Sequence, residues 1–236
     1  MAGIYSLEDK DFGTIVICFR QGMRSVTARW KKDILHINAP DGMPVKNILK
    51  ALDAMRERIA SRKPPKRTFH NGQLIHCFRH TISIGLHNGK KNVVGYGGAE
   101  SELYLNLHES ADFNNENVNH TISVCLCNLM AERASGTLIP HARSIAESLG
   151  VNPAGFEIGH GKRKLGHCTS KGIIQLSYYI MFLPEDLVNY IIYHELAHLN
   201  EMNHSTDFHT LCNSYCKGKE SHYKKALKNF YWPIIK

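Results

Sequence analysis

Hydrophobic and polar positions divide the chain into a strand-rich first half and a helix-rich second half. β-branched and aromatic residues are concentrated in residues 12–19, 26–30 and 33–37, which predicts two or three antiparallel strands. An apolar stripe with helical spacing then predicts a helix from Val45 to about Ser61. The basic, proline-containing residues 62–67 end this helix and are interpreted as a solvated linker.

Two further strands are predicted where apolar and polar residues alternate, at His80–Leu86 and Glu102–His108. The glycine-containing residues 87–91 and 95–98 between them lack the spacing of a phosphate-binding loop. We interpret both as hairpin turns.

The middle of the chain has the pattern of two helices followed by strands. Helices are predicted at Val118–Ala134 and at Thr137–Leu149, the second ended by Gly150. Short strands are predicted at Val151–Ile158 and Ile173–Ser177.

The C-terminal part has clear helix start signals. Pro184 with two acidic residues after it begins one helix, and Ser205 is a good N-cap for a second that runs to about Cys216. A last helix is predicted at Glu220–Phe230. The fold class is therefore α+β: a β-rich N-terminal region with one helix, residues 1–115, followed by a mainly helical domain, residues 116–236.

Composition and charge indicate the compartment and the kinds of partner of the protein more clearly than its function. The 236 residues carry a formal net charge of +8, which permits weak binding of nucleic acid, anionic lipid or acidic substrates, although a cationic surface without a specific partner is the simpler interpretation. The seven cysteines include no C-x-x-C pair, which favours reduced thiols in the cytoplasm. No signal peptide and no membrane span are expected, and no pattern indicates an oligomeric state.

The most informative segment is H-E-L-A-H at residues 194–198. His194 and His198 are four residues apart, so on a helix both imidazoles leave the same face and can bind one metal ion. The pattern H-E-x-x-H is a zinc-peptidase signature in which the glutamate, here Glu195, activates water. With 15 histidines in the chain, the motif alone has about a one-in-twenty chance of arising by coincidence, so its helical context is needed.

A third metal ligand is expected after the helix. His204 is favoured as this ligand by its spacing. The alternative ligand is His209, on the following helix. If His209 does not bind the metal, it could lie beside the ligands or contact the substrate. Three protein ligands would leave one Zn²⁺ position open for water. Glu195 would take the proton of that water during attack on a carbonyl.

A second group is expected to stabilise the developing oxyanion. Its candidates remain open, and they are His160, His167, Tyr178 and Tyr179. The basic turn at residues 160–164 precedes this region and could hold phosphate.

Two segments resemble the YgjP-like (WLM-related) metallopeptidases. Residues 166–176, G-H-C-T-S-K-G-I-I-Q-L, are similar to that family's W-G-S-C-S-S-K-G-x-I-x-L segment. Residues 184–208 are similar to its P-x-x-x-I-D-Y-V-I-x-H-E-L-A-H-L-x-x-x-N-H-S-x-x-F segment. The resemblance is dense over about residues 140–212 and weaker in the N-terminal strands.

The resemblance implies a zincin-like catalytic domain behind the β-rich N-terminal region. It implies zinc bound by His194, His198 and His204, with Glu195 as the base. Three positions depart from the family pattern, and they are Leu165 in place of Trp, His167 in place of Ser and His209 in place of Trp. The metal ligands are intact, whereas these departures bear on substrate preference and on catalytic competence.

Three hypotheses follow, and the first is a cytoplasmic zinc-dependent peptidase acting on peptide or protein substrates. The second is metal-dependent hydrolysis of a nucleotide, with residues 162–164 holding phosphates. The third is a nucleic-acid-associated protein whose peptidase activity acts on bound proteins. In that case the C-terminal aromatic residues among lysines would contact nucleic acid, namely Tyr223, Tyr231 and Trp232.

Overall fold

The chain forms two compact units, Met1–Arg67 and Thr68–Lys236. This computed structural model describes residues 4–31, 34–63, 68–90, 95–99 and 101–234. Most of the predicted linker, residues 64–67, lies outside the described residues.

The first unit is a four-stranded sheet followed by one helix. Its elements are β1 (Ile4–Asp9), β2 (Gly13–Arg20), β3 (Thr27–Lys31), β4 (Ile34–Pro40) and α1 (Val45–Ala60). The strand order is β1-β2-β4-β3. The prediction that these strands are antiparallel is wrong for β2 and β4, which pair in parallel. β3 pairs antiparallel with the other edge of β4. β1 was not predicted.

The core of this unit lies between α1 and one sheet face. Alternate residues of β2 and β4 point to that face, as strand geometry requires, and they meet the apolar stripe of α1. Seven side chains are completely buried there: Ile15, Ile17, Leu35, Ile37, Ala39, Ile48 and Leu52. The helix prediction is confirmed to within one residue.

Arg56 of α1 contacts three carboxylates at the edge of this core. Both of its terminal nitrogens lie 2.9 Å from the Asp9 carboxylate, and it also contacts Asp11 at 2.7 Å and Asp53 at 2.8 Å. The Arg56 guanidinium holds the pKa of Asp9 at about 2, below its usual value of 3.8. The ion pair therefore favours the folded state when Asp9 is ionised.

We expect Asp9→Asn to lower the free energy of unfolding at pH 7 by about 2 kcal/mol. A carboxylate with a lowered pKa stabilises the fold above its unfolded-state pKa, and this contribution is lost as the pH falls through about 2. Urea unfolding at pH 7, and from pH 4 downwards, should show the gap between wild type and variant closing. Asp53→Asn is the control, because Asp53 is 65% exposed and should lose less than about 1 kcal/mol. Equal losses in both variants would contradict this prediction.

The second unit begins with another four-stranded sheet and a helix. Its elements are β5 (Leu74–Cys77), β6 (His80–His87), β7 (Gly95–Ala99), β8 (Glu102–His108) and α2 (Glu116–Leu149). Both strands predicted in this region are confirmed as β6 and β8. Residues 95–98, predicted as a turn, lie in β7, where the backbone pairs antiparallel with β8.

The two sheets have the same topology. The order β5-β6-β8-β7 repeats the order of the first unit, with the same antiparallel, parallel and antiparallel pairings. Thr14, Ile15 and Ile17 of β2 correspond to Thr81, Ile82 and Ile84 of β6. The same arrangement of four strands followed by a helix thus occurs twice in the described part of the chain, which was not predicted from the sequence.

α2 is one helix of 34 residues, so the prediction of two helices is wrong. The break was expected at residues 135–136, where Gly136 weakens a helix, and Pro140 also lies inside the observed helix. Packing outweighs this local preference, because Ala134, Leu138 and Ala142 are buried on one side of the helix. Its end at Gly150, which has a left-handed backbone with φ 67°, is as predicted.

The rest of the second unit surrounds α2 and builds the site. Its elements are β9 (Gly155–Gly159), β10 (Gly166–Cys168), β11 (Ile173–Ser177), a 3-10 helix (Tyr178–Phe182), α3 (Glu185–Ala197), α4 (Thr206–Tyr215) and α5 (Glu220–Asn229). The three strands form a sheet of order β10-β11-β9. α2 packs against β9, the 3-10 helix and α3. The helices predicted from Pro184, Ser205 and Glu220 are confirmed.

The mixed α+β class is confirmed. The predicted strand at Val151–Ile158 is shorter than expected and begins at Gly155, and β10 was not predicted. β5 to β8, predicted to belong to the N-terminal region, fall within the Thr68–Lys236 unit, and a functional boundary near residue 115 stays a prediction. Among the described residues, no helix has the length and apolar composition needed to span a membrane.

Candidate metal centre

The site lies at the C-terminal end of α3. Pro184 precedes the first helical residue, and the acidic Glu185 and Asp186 occupy the first turn, where they complement the helix dipole. Six aliphatic residues of the helix are buried and fix its rotation: Leu187, Val188, Ile191, Ile192, Leu196 and Ala197. His194 lies in the last turn of the helix and His198 is its C-cap. This orientation places both imidazoles on the same face of the helix.

Three histidines converge at this end of the helix. One ring nitrogen from each of His194, His198 and His204 lies within 4.8 Å of the others. The Nε2 atoms of His194 and His204 are 3.0 Å apart. Two nitrogens bound to one tetrahedral zinc ion would lie about 3.3 Å apart, so the spacing is close to that of a metal site.

The protonation of the rings also fits a metal ion. His198 Nδ1 lies 2.9 Å from the Glu201 carbonyl oxygen, which only accepts, so Nδ1 donates and Nε2 is left to bind. Burial lowers the pKa of His194 to about 4, and His194 Nδ1 has no hydrogen-bond partner among the described residues. Burial likewise lowers the pKa of His204. Neutral imidazoles are the form that binds metal.

Phe208 holds the three rings in place. Its ring stacks on His198 with centroids 4.4 Å apart and meets the edges of His194 and His204 at 4.9 and 4.8 Å. The Phe208 backbone N–H donates to the Ser205 hydroxyl at 3.2 Å, which caps α4 directly after His204. The predicted N-cap therefore also fixes where His204 lies.

Glu195 lies between α3 and strand β10. Its side chain is only 6% exposed, and burial raises its pKa to about 7. The Cys168 backbone N–H and the charge of Lys164 oppose this shift. Gly166 packs directly against the carboxylate, since a methyl group at Gly166 would lie 2.6 Å from Glu195 Cγ. A carboxyl group with a pKa near neutrality is suited to proton transfer.

The other predicted site residues lie outside this cluster. His209 Nδ1 donates to the Glu220 carboxylate at 2.7 Å, and the His209 ring is 6.3 Å from that of His204. His167 is exposed on β10. Tyr178, 8% exposed, packs against Tyr179 and His160. Among the described residues, no hydrogen bond or ring contact joins His160, His167 or Tyr178 to the three histidines.

Sequence reasoning missed the supporting groups. Phe208 and Gly166 were part of the segments that carried the family resemblance, but no role was predicted for them. The Glu201 carbonyl is a backbone group and leaves no sequence signal. Glu220 was predicted only as the first residue of a helix, and it is buried beside His209.

Comparison with known proteins agrees with the geometry. The family model described as YgjP-like, metallopeptidase domain, matches residues 24–230. The chain belongs to the YgjP-like family. No curated protein and no solved structure matches it.

Membership of the YgjP-like family makes the chain a metallopeptidase-domain protein with a three-histidine cluster. The matched region includes residues 24–67 of the first unit, whereas β1 and β2 precede it. Of the three departures from the family pattern, Leu165 packs against the core beside β10. The two others place imidazoles near the site, with His167 on β10 and His209 on α4.

Proposed function

We propose that this protein is a zinc-dependent peptidase. The observation that carries the proposal is the convergence of three imidazole nitrogens at the end of α3, the helix that also carries the buried Glu195, in a chain of a metallopeptidase family. Peptide and protein substrates follow from the family. A reducing compartment such as the cytoplasm suits the seven cysteines, all of which are free thiols.

His194, His198 and His204 would hold the metal. Bound there, zinc would acidify a water molecule and polarise the scissile carbonyl. The packing of Phe208 keeps the geometry of the three rings fixed before the ion binds. This preorganisation reduces the cost of assembling the site.

Glu195 would act as the general base. Its carboxylate takes the proton of the attacking water and passes it to the leaving amine. Gly166 makes room for the carboxylate because it has no side chain, and the Cys168 N–H faces the carboxylate. Together these two groups hold it in position. His209, oriented by Glu220, is a candidate contact for the substrate.

Two alternative functions would each be recognised by a different measurement. A nucleotide phosphohydrolase would release phosphate from nucleotides in a metal-dependent reaction. Nucleic-acid association is favoured by the charge distribution, because residues 1–67 contain 14 basic and 7 acidic residues and so carry +7 of the net +8. Binding of an oligonucleotide that weakens steeply with salt would support that association.

The experiment for the main proposal combines metal analysis with cleavage of an unfolded protein. We expect about one zinc ion for each chain, loss of cleavage on chelation, and recovery when zinc is restored. His204→Ala should lose the metal, whereas His120→Ala, at an exposed position of α2, should keep it. Protein that binds no metal, or cleavage that survives chelation, would overturn the proposal.

A further inference from the structure

A basic pocket lies beside strand β10, on the sheet face that carries His167. Its volume is about 470 Å³. The loop between β9 and β10 forms one wall, and the side chains of the sheet form the floor. The lining residues with charged or polar side chains are Lys162, Arg163, Lys164, His167, Gln175 and Ser177.

The charge of this pocket is unbalanced. No acidic residue lines it, and in the described part of the chain neither Lys162, Arg163 nor Lys164 forms an ion pair. On the same sheet face, Glu157 lies across from Gln175 and outside the lining. An anionic group would therefore find Lys162 and Arg163 without a carboxylate partner, whereas the charge of Lys164 also acts on Glu195.

The pocket and the Glu195 carboxylate share strand β10. Gly166 lines the pocket and also packs against Glu195. In register, Gly166 and Cys168 face the helix side, whereas His167 between them faces the pocket.

β10 is also an edge strand. Among the described strands it pairs only with β11, so an extended peptide can lie along its second edge as far as Cys168, whose N–H faces the Glu195 carboxylate. Side chains of such a peptide would alternate between the Glu195 side and the pocket side. A residue beside the scissile bond would thus place its side chain over the basic loop.

We propose that this pocket is a subsite for an acidic side chain, glutamate or aspartate, of a peptide substrate. The inference rests on the proposed function, since it assigns a substrate preference to the same site. The lining favours a peptide carboxylate over a nucleotide, because no Phe, Tyr or Trp is present to stack on a base. Arg163 supplies the planar donor pair that recognises carboxylates.

The test uses the full-length protein and pairs of extended peptides that differ only by Glu or Gln at one position, moved along the peptide. We expect kcat/KM to favour Glu about tenfold at one position next to the cleaved bond. The Lys162→Gln/Arg163→Gln double substitution should reduce this ratio to about twofold or less. Lys171→Gln is the control, because Lys171 lies in the turn before β11 and outside the pocket.

A binding arm separates this subsite from the proposed function. Fluorescence anisotropy of the same peptides with Glu195→Gln protein measures the Glu preference without cleavage. Wild-type protein that cleaves none of the peptides, together with a Glu preference in the binding measurement, would overturn the proposed function and support the subsite. Cleavage with equal rates for Glu and Gln peptides would overturn the subsite alone. ADP that binds more tightly than the Glu peptide, and is lost in the double variant, would also overturn it in favour of a phosphate site.

Discussion

Glu195→Gln should reduce kcat for peptide hydrolysis by about 10³-fold while the protein keeps its metal. Glutamine has nearly the same size and fits between Gly166 and α3, but its amide cannot accept a proton at neutral pH. The three histidines do not change, so metal content should stay at the wild-type level. Initial rates with saturating peptide and metal analysis of the same preparations measure both quantities.

Glu185→Gln is the matched control for this substitution. Glu185 lies in the first turn of the same helix, is half exposed, and pairs with Arg79 at 2.8 Å. Such an exposed ion pair contributes little to stability, so rate and metal content should remain unchanged. Cleavage by Glu195→Gln at the wild-type rate would refute the role of Glu195 as base. Loss of metal from that variant would mean that Glu195 supports the ligands instead.

Elements with strong local signals were predicted well. α3, α4 and α5 begin where Pro184, Ser205 and Glu220 indicate, because caps and helical stripes are encoded within a few residues. Strand pairing was predicted poorly. The parallel pairing of β2 with β4, and of β6 with β8, depends on contacts between distant residues that periodicity does not report.

The same division applies to the site. The spacing of His194 and His198 follows from helix geometry, so two histidines on one face could be predicted from the sequence alone. The close approach of β10 to Glu195 could not be predicted from the sequence, because it depends on how a three-residue strand packs against a helix. Gly166 therefore looked like an ordinary glycine, although its missing side chain is what makes room for the carboxylate.

Gly166→Ala should lower kcat by about 10²-fold, with KM and metal content close to the wild-type values. The added methyl group would lie 2.6 Å from Glu195 Cγ and 2.7 Å from its Cδ, so the side chain must leave its position. Since Glu195 is only 6% exposed, few other rotamers are open to it. A displaced base no longer reaches the attacking water, whereas the histidines are untouched. Steady-state kinetics with metal analysis would show this separation.

Gly155→Ala tests whether any added methyl group in this sheet has the same effect. Gly155 lies in β9, and a methyl group there would meet no atom within 4 Å, so activity should stay near wild type. A double-mutant cycle adds a second check: Glu195→Asp, which removes the contact of the methyl group with Cδ but keeps the one with Cγ, should cost less in the Gly166→Ala background than in wild type. Additive losses, or a Gly166→Ala protein that loses its metal, would mean that Gly166 maintains the strand rather than the position of the base.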